Sequence, residues 1–153
     1  MFISLIDLAC IGELSARIWK AAASERTIVF DAPSKVAAFY MEEMRHLEQE
    51  NLKLLLLNTK NILLRDITVS RGTVNASCAT PREIFIEALR FRACGIILLH
   101  NHPSGDPAPS REDCLFTERV REAGSLMGIP LLDHIVIGDN SYVSLRERGI
   151  FET

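Results

Sequence analysis

The sequence predicts an α/β or α+β fold, in which helices pack against a β-sheet. Short and almost continuously apolar segments, such as LKLLLLN and IILLH, are typical of strands buried on both faces. Longer segments with helical periodicity and clear start signals alternate with them. The chain has 153 residues, 48% of them hydrophobic, which is sufficient for one domain with a substantial core.

The first half of the chain predicts helices followed by two strands. The predicted elements are a short helix over 11–22, a connector over 23–33, a helix over 34–49 and strands over 52–58 and 62–70. Ser34 is the expected cap of the second helix.

The second half contains two helix starts with a complete capping signal. Thr80-Pro81-Arg82-Glu83 predicts a helix that runs to about Ala93, and Ser110-Arg111-Glu112-Asp113 predicts one that runs to about Met127. Strands are predicted over 96–100, 131–138 and 141–145, the last two as a hairpin. After the first short helix, the predicted order is helix, strand, strand, helix, strand, helix, strand, strand.

The segment HNHPSGDPAPSRED, residues 100–113, carries the clearest chemical pattern. His100 and His102 lie two residues apart at a predicted strand end, so their side chains point to the same side. A turn then leads into a helix whose first turn contains Asp113. Two imidazole nitrogens and one carboxylate oxygen suit a zinc ion. Three protein ligands leave a position for water, which is typical of a catalytic zinc.

Each of these residues also has a structural interpretation. Asp113 suits the positive end of a helix dipole, Ser110 suits an N-cap, and a single histidine is more often structural than a ligand. Their concentration around one turn favours the metal site. Such a hydrolase needs a general base and an oxyanion donor, and Ser110 is positioned for the second role. Spacing leaves the base open among the glutamates before the first buried strand, namely Glu42, Glu43, Glu48 and Glu50.

Charge and cysteine content argue against several classes of protein. The net charge is −3 and no Lys/Arg-rich run occurs, unlike the basic footprint of most nucleic-acid-binding domains. Cys10, Cys78, Cys94 and Cys114 form no C-x-x-C pair, which suits a reducing cytoplasm. We expect no cleavable signal and no membrane span, because the apolar start lacks basic residues and every apolar run is short.

His-x-His, seven residues, Ser, two residues and Asp is the JAMM motif of the MPN-domain metalloproteases, and residues 100–113 match it position for position. Together with QENLKLLLLNTKN, the T-P-R-E-I-F helix start and LLDHIVIGD, the chain resembles the bacterial RadC family over about residues 34–153. The resemblance implies the MPN (JAB-type) fold, a mixed β-sheet flanked by helices that resembles the layered cytidine-deaminase-like fold. It also implies one zinc ion held by His100, His102 and Asp113.

The resemblance further implies a catalytic glutamate before the first strand. In the family, one residue separates this glutamate from an apolar or aromatic strand start. Glu50-Asn51-Leu52 fits that pattern, although the family often has an aromatic residue where Leu52 stands. Glu48 is the alternative.

Two more segments take their meaning from the same resemblance. IGELSARIWKAA, residues 11–22, resembles the last hairpin turn and helix of the helix-hairpin-helix region found before the MPN domain in many RadC-like proteins. We therefore divide the chain into 1–33, a remnant of that region and a connector, and 34–153, the RadC-type MPN domain. Asp133-His134 resembles the family's Asp-His pair. It is interpreted as a strand-end pair that stabilises the sheet or, with slightly less weight, as a neighbour of the metal site.

Three functions follow from these features. The favoured prediction is zinc-dependent hydrolysis of a peptide or isopeptide bond in a peptide or protein substrate. The alternative is a DNA-associated repair or recombination accessory protein without proteolytic activity, against which the charge argues. A scaffold that has kept only the fold is disfavoured by the intact ligand set. The letters H-N-H also suggest a nuclease as a form of the DNA-associated alternative, which is disfavoured because HNH nucleases spread those residues over a ββα unit.

Overall fold

A computed structural model describes residues 13–15, 28–72 and 79–151, and it contains a five-stranded mixed sheet with helices on both faces. Its elements are helix α1 (Pro33–Met44), strands β1 (Asn51–Leu57) and β2 (Leu63–Arg71), helix α2 (Pro81–Arg90), strand β3 (Gly95–Asn101), helix α3 (Arg111–Met127) and strands β4 (Leu131–Ile137) and β5 (Tyr142–Ser144). The predicted fold class and the predicted order of elements are confirmed.

The strands lie in the order β2-β1-β3-β4-β5. β1 is antiparallel to both of its neighbours, β3 and β4 are parallel, and β5 is antiparallel to β4. α3 provides the crossover that a parallel pair requires. β1 and β3 are almost completely buried, as their continuous apolar sequences predict, whereas the edge strand β2 is only partly buried.

Alternating residues of the central strands build two separate cores. On one face, Leu54 and Leu98 pack with side chains of α2 and α3 such as Phe85 and Val120. On the opposite face, alternate residues of the same strands pack against α1. His100 shares the face of Leu98 because strand side chains alternate, so it points toward the layer that contains α3.

The boundaries of α1 differ from the prediction. Ser34 is not its cap: the helix starts at Pro33 after an extended Ala32, with no side-chain capping bond. The fixed φ of proline suits the first helical position, which explains the earlier start. The helix also ends at Met44 instead of residue 49, because the chain turns there, with a 3.3 Å bond from Leu47 N–H to Met44 O, to reach the start of β1.

Most of the first 33 residues lie outside the described part of the chain. Residues 13–15 are helical, and the rest of the helix predicted over 11–22 is not described. Within the predicted connector, Val29 forms a bridge with Ile62 and Phe30 is buried against α1. The division at residue 33 stays a prediction. None of the helices in the described ranges is both long and apolar enough to cross a membrane.

Candidate metal centre

The candidate site lies where β3 ends and α3 begins. His100 is the sixth residue of β3 and is fully buried. His102 follows the strand, and its backbone N–H donates to Ile137 O at 2.9 Å, which keeps it beside β4. Asp113 is the third residue of α3 and is 4% exposed. The end of β3 and the start of α3 therefore provide the three side chains.

The three side chains converge on one point. The Nε2 atoms of His100 and His102 are 3.0 Å apart. Asp113 Oδ1 is 3.3 Å from His100 Nε2, and Asp113 Oδ2 is 3.5 Å from His102 Nε2. Among the described residues, these three side chains form a group of potential metal ligands. One ligand atom from each lies within 4.8 Å of the other two. The arrangement is a set of two nitrogens and one carboxylate that can hold a metal ion.

The turn after His102 fixes which nitrogen this ligand presents. His102 Nδ1 is 2.8 Å from Asp106 O. A carbonyl oxygen only accepts, so Nδ1 carries the proton and Nε2 presents its lone pair to the other two ligands. The same turn docks on the β4–β5 connection, where Asp139 N–H donates to Gly105 O at 2.8 Å. The PSGDPAP turn is thus a support for the ring as well as a chain reversal.

The capping box of α3 orients the carboxylate of Asp113. The backbone N–H and the hydroxyl of Ser110 both donate to Oδ2, each at 2.7 Å, and Ser110 Oγ accepts from Asp113 N–H at 3.1 Å. Oδ2 is therefore occupied, which leaves Oδ1 toward His100. Burial by itself would raise the pKa of Asp113, and the bonds that its carboxylate accepts from Ser110 act to lower that pKa. The carboxylate is held in its ionised, ligand-ready form.

A second pair of polar side chains adjoins His100 from inside the protein. His134 on β4 is fully buried, and its Nε2 is 2.8 Å from His100 Nδ1. Its other nitrogen, Nδ1, is 2.6 Å from the hydroxyl of Thr117, one turn along α3 from Asp113. Burial, followed by the neighbouring His100, lowers the pKa of His134 and keeps the ring neutral. Sequence reasoning missed Thr117, although its spacing of four residues from Asp113 puts both on one helix face.

Asp133 and His134 have different surroundings. Asp133 fits the interpretation as a residue that stabilises the sheet, and His134 fits the interpretation as a neighbour of the metal site. The Asp133 carboxylate accepts from Ser144 Oγ at 2.7 Å, from Arg146 N–H at 3.2 Å and from His134 N–H at 2.7 Å. These bonds tie β4 to β5 and to the segment after it, which is a structural role. The side chain of His134, by contrast, contacts the candidate metal centre.

The register of β1 against β3 puts the start of β1 beside the histidines. Leu52 is paired with His100. Glu50 directly precedes β1 and His102 directly follows β3, so both lie just beyond the paired residues at this end of the two strands. Glu50 is partly buried. It is not one of the residues that form the three-ligand group.

Asn101, between the two histidines, holds the backbone on both sides of Glu50. Its side-chain oxygen accepts from Asn51 N–H at 2.8 Å, and its amide nitrogen donates to Gln49 O at 3.1 Å. The carbonyl of Glu50 itself accepts from Gly72 N–H at 2.8 Å. Asn101 is 1% exposed, so this clamp is part of the folded core.

The other candidate glutamates point elsewhere. Glu42 forms a 3.0 Å ion pair with Arg45 on α1, and Glu43 forms a 2.7 Å ion pair with Lys53. Both belong to the helix that covers the opposite face of the sheet. Glu48 is exposed and lines an open cavity of about 540 Å³ together with Glu43 and Lys53. The geometry therefore favours Glu50 over these three as a neighbour of the histidines.

Comparison with known proteins gives a consistent result. The sequence profile of the RadC-like JAB domain matches residues 30–150. The chain is 51% identical over 144 residues to a UPF0758 protein of Halalkalibacterium halodurans, 48% identical over 146 residues to a UPF0758 protein of Clostridium botulinum (strain Langeland) and 46% identical over 148 residues to a UPF0758 protein of Shouchella clausii. These alignments cover 94%, 94% and 97% of this chain but only 62%, 63% and 64% of the relatives. The chain thus spans less than two thirds of the length of these relatives, and their names state no activity.

Proposed function

The chain belongs to the family of RadC-like JAB domains, and we propose that it is a zinc-dependent hydrolase that cleaves a peptide or isopeptide bond. The observation that carries this proposal is the convergence of His100, His102 and Asp113. The substrate class follows from the resemblance of residues 100–113 to the JAMM motif of metalloproteases.

The spacing of the three side chains agrees with the requirements of zinc. Ligands at about 2.0–2.1 Å from a tetrahedral ion lie roughly 3.3–3.4 Å from one another. The distances from His100 Nε2 to His102 Nε2 and to Asp113 Oδ1 are 3.0 and 3.3 Å. With one ligand atom from each side chain, all three lie within 4.8 Å of one another. Two imidazoles and one carboxylate are also a donor set typical of catalytic zinc, because such sites use three protein ligands. His100, His102 and Asp113 would hold the ion.

The chemistry divides between the ion and the side chains around it. When bound, zinc supplies Lewis acidity, which polarises a carbonyl group and brings the pKa of water toward about 7. Glu50 accepts a proton from the attacking water at its carboxylate and returns it to the nitrogen of the leaving amine as the C–N bond breaks. Glu50 has then accepted and released one proton, so its carboxylate is ionised again at the end of the reaction.

Ser110 has two roles in this proposal. Its hydroxyl supports the carboxylate of Asp113 through a 2.7 Å bond. A hydroxyl has one proton to donate, so support of the oxyanion requires that Ser110 turn this proton from Asp113 to the substrate oxygen. The backbone N–H of Ser110 continues to hold Oδ2 of Asp113 during this change, because it makes its own 2.7 Å bond.

Metal content is the first test. Protein purified without added metal, then saturated with zinc and desalted, should contain about one zinc per chain, as expected for a mononuclear site. His102→Ala should lose stoichiometric zinc because the ion loses one of three ligands. His46→Ala is the matched control, since this histidine is 64% exposed on the α1 side. Full zinc occupancy in His102→Ala would overturn the ligand assignment.

Hydrolysis is the second test. A linked-peptide library is screened with the zinc-loaded parent to find a cleaved substrate. Glu50→Gln should then keep its zinc and lose roughly 10²–10⁴-fold in rate, the usual contribution of a positioned acid or base. Glu48→Gln should cleave at the parent rate. The reverse result would transfer the role to Glu48, and full activity in both variants would remove the glutamate step.

A further inference from the structure

We propose that Thr117 and His134 form a hydrogen-bond relay that fixes the tautomer of His100, so that His100 presents Nε2, unprotonated, to the metal. Both are positioning residues, since neither side chain belongs to the three-ligand group. The inference rests on the proposed metal site, and its first measurement is made on metal-free protein so that the two can fail separately.

The direction of the relay is set at Thr117. Its hydroxyl oxygen is 2.6 Å from Asp113 O and 2.6 Å from His134 Nδ1. The carbonyl of Asp113 can only accept, so the single hydroxyl proton goes to it. The lone pairs of Thr117 Oγ1 are then what faces His134, and His134 Nδ1 has to be the donor in this contact.

The proton on Nδ1 determines the rest of the chain of bonds. A neutral imidazole with its proton on Nδ1 has a lone pair on Nε2. His134 Nε2 therefore accepts, and the 2.8 Å contact with His100 Nδ1 is an N–H···N bond donated by His100. His100 then has its proton on Nδ1 and a free lone pair on Nε2, the atom 3.0 Å from His102 Nε2.

The two histidine ligands are oriented by different parts of the fold. His102 is fixed by a local carbonyl, Asp106 O, four residues along the chain. His100 is fully buried and depends on side chains from β4 and α3. Asp113 and Thr117 lie one turn apart on α3, so the helix that provides the carboxylate ligand also begins the relay.

Thr117→Val and Thr117→Ser form a matched pair for the test. Valine has nearly the same shape as threonine but offers no acceptor to His134 Nδ1–H. Serine retains the hydroxyl and should restore the relay. The chain has four histidines. Long-range ¹H–¹⁵N spectra of histidine-labelled, metal-free protein at about pH 8, above the ordinary histidine pKa of about 6.5, therefore identify the protonated nitrogen of each ring. Zinc affinity is measured in parallel by competition with a chelator.

In the parent and in Thr117→Ser, the protons of His134 and His100 should both be on Nδ1. In Thr117→Val, His134 should shift toward the tautomer protonated on Nε2, and zinc affinity should fall about 10–100-fold, the usual effect of removing a partner of a metal-bound histidine. His134→Gln, whose amide also offers one acceptor and one donor, should bind zinc more tightly than His134→Leu. A second readout thus remains if Thr117→Val does not fold.

Two results would overturn the relay. One is a parent His134 protonated on Nε2. The other is a Thr117→Val variant with parent tautomers and parent zinc affinity. If the parent binds no zinc but shows the expected tautomers and their shift in Thr117→Val, the relay stands and the proposed metal site fails.

Discussion

If the chain is the proposed zinc hydrolase, Asn101→Ala should slow hydrolysis while zinc remains bound, because the Asn101 side chain bonds the backbone on both sides of Glu50 and is not itself a member of the three-ligand group. Its side chain makes two bonds, from Asn51 N–H at 2.8 Å and to Gln49 O at 3.1 Å. Alanine removes both, and the backbone on either side of Glu50 is released. The bond from Gly72 N–H to Glu50 O is retained, so the segment should loosen rather than detach.

The expected magnitudes follow from these two bonds. At a net contribution of about 0.5–1.5 kcal/mol for each hydrogen bond, the free energy of unfolding should fall by about 1–3 kcal/mol. The loss of kcat should be larger than this loss of stability alone would suggest. A displacement of about 1 Å can cost roughly 10²-fold when it moves a catalytic group, and a general base contributes roughly 10²–10⁴-fold in all. We therefore expect a loss of about 10²-fold in kcat.

Asn58→Ala is a control with matched hydrogen bonds. The Asn58 side chain accepts from Lys60 N–H at 2.8 Å and from Ile62 N–H at 3.1 Å, in the turn after β1 and at the end of that strand remote from Glu50. It also loses two bonds of the same lengths, so its unfolding in urea should shift by a similar amount.

The assay compares zinc content, urea unfolding and kcat for both variants. Only Asn101→Ala should lose activity. The reasoning is refuted if Asn101→Ala retains zinc and the parent kcat, or if Asn58→Ala loses as much activity as Asn101→Ala.

Three further changes test the supports of the site. In Gly138→Ala, the new Cβ would lie 2.3 Å from Gly105 O, so the turn that supports His102 has to move; zinc affinity in chelator competition should fall, and an unchanged affinity would contradict this. Ser110→Ala removes an N-cap and should lower the free energy of unfolding of metal-free protein in urea by about 0.5–2 kcal/mol, whereas Ser110→Thr should recover most of it. Burial raises the pKa of Asp133, so its charge costs the folded state stability above that pKa, and this cost disappears as the pH falls through it. The urea midpoint of Asp133→Asn relative to the parent should therefore be higher at about pH 7 than at about pH 4, and equal differences at both would refute the argument.

Local signals predicted most of the fold. The continuous apolar runs of β1 and β3 predicted central strands because such short runs suit strands buried on both faces, although a buried helix end was the alternative for the first run. Both capping boxes form as predicted, at Thr80 and at Ser110, because these bonds join residues only three apart. The end of α1 was not predicted, since it depends on how far the chain must travel to reach β1 and not on its own helical periodicity.

The site was predictable only where its residues are close in the sequence. His100, His102 and Asp113 lie within a segment of fourteen residues. Strand alternation and the predicted helix start were therefore enough to predict that their side chains converge. The place of the candidate base Glu50 depends on the register Leu52↔His100, a pairing across 48 residues that no local pattern encodes. For this reason spacing left the general base open, and the family resemblance was needed to favour one glutamate.

His134 and Thr117 show a different kind of gap. A histidine within the apolar run LLDHIVI is a polar group in a strand buried on both faces, and such a group requires a partner. The pattern therefore indicated that a partner existed but not which one. The partners proved to be a ligand on the neighbouring strand and a hydroxyl on the crossing helix, both of them tertiary contacts.

Asp113 explains why the structural and the functional interpretations of the motif were not alternatives. The capping box uses an acceptor at the third residue of the helix, and the candidate metal centre uses an anionic oxygen at the same place. A carboxylate has two oxygens, and here Oδ2 accepts both bonds from Ser110 while Oδ1 faces His100. An asparagine would use its one oxygen for the cap and turn an N–H₂ donor toward the histidines, where a lone pair is required. A carboxylate meets both requirements, so the capping box that starts α3 also orients the third candidate ligand. The same residues, Ser110 and Asp113, therefore predict both the start of the helix and a part of the candidate site.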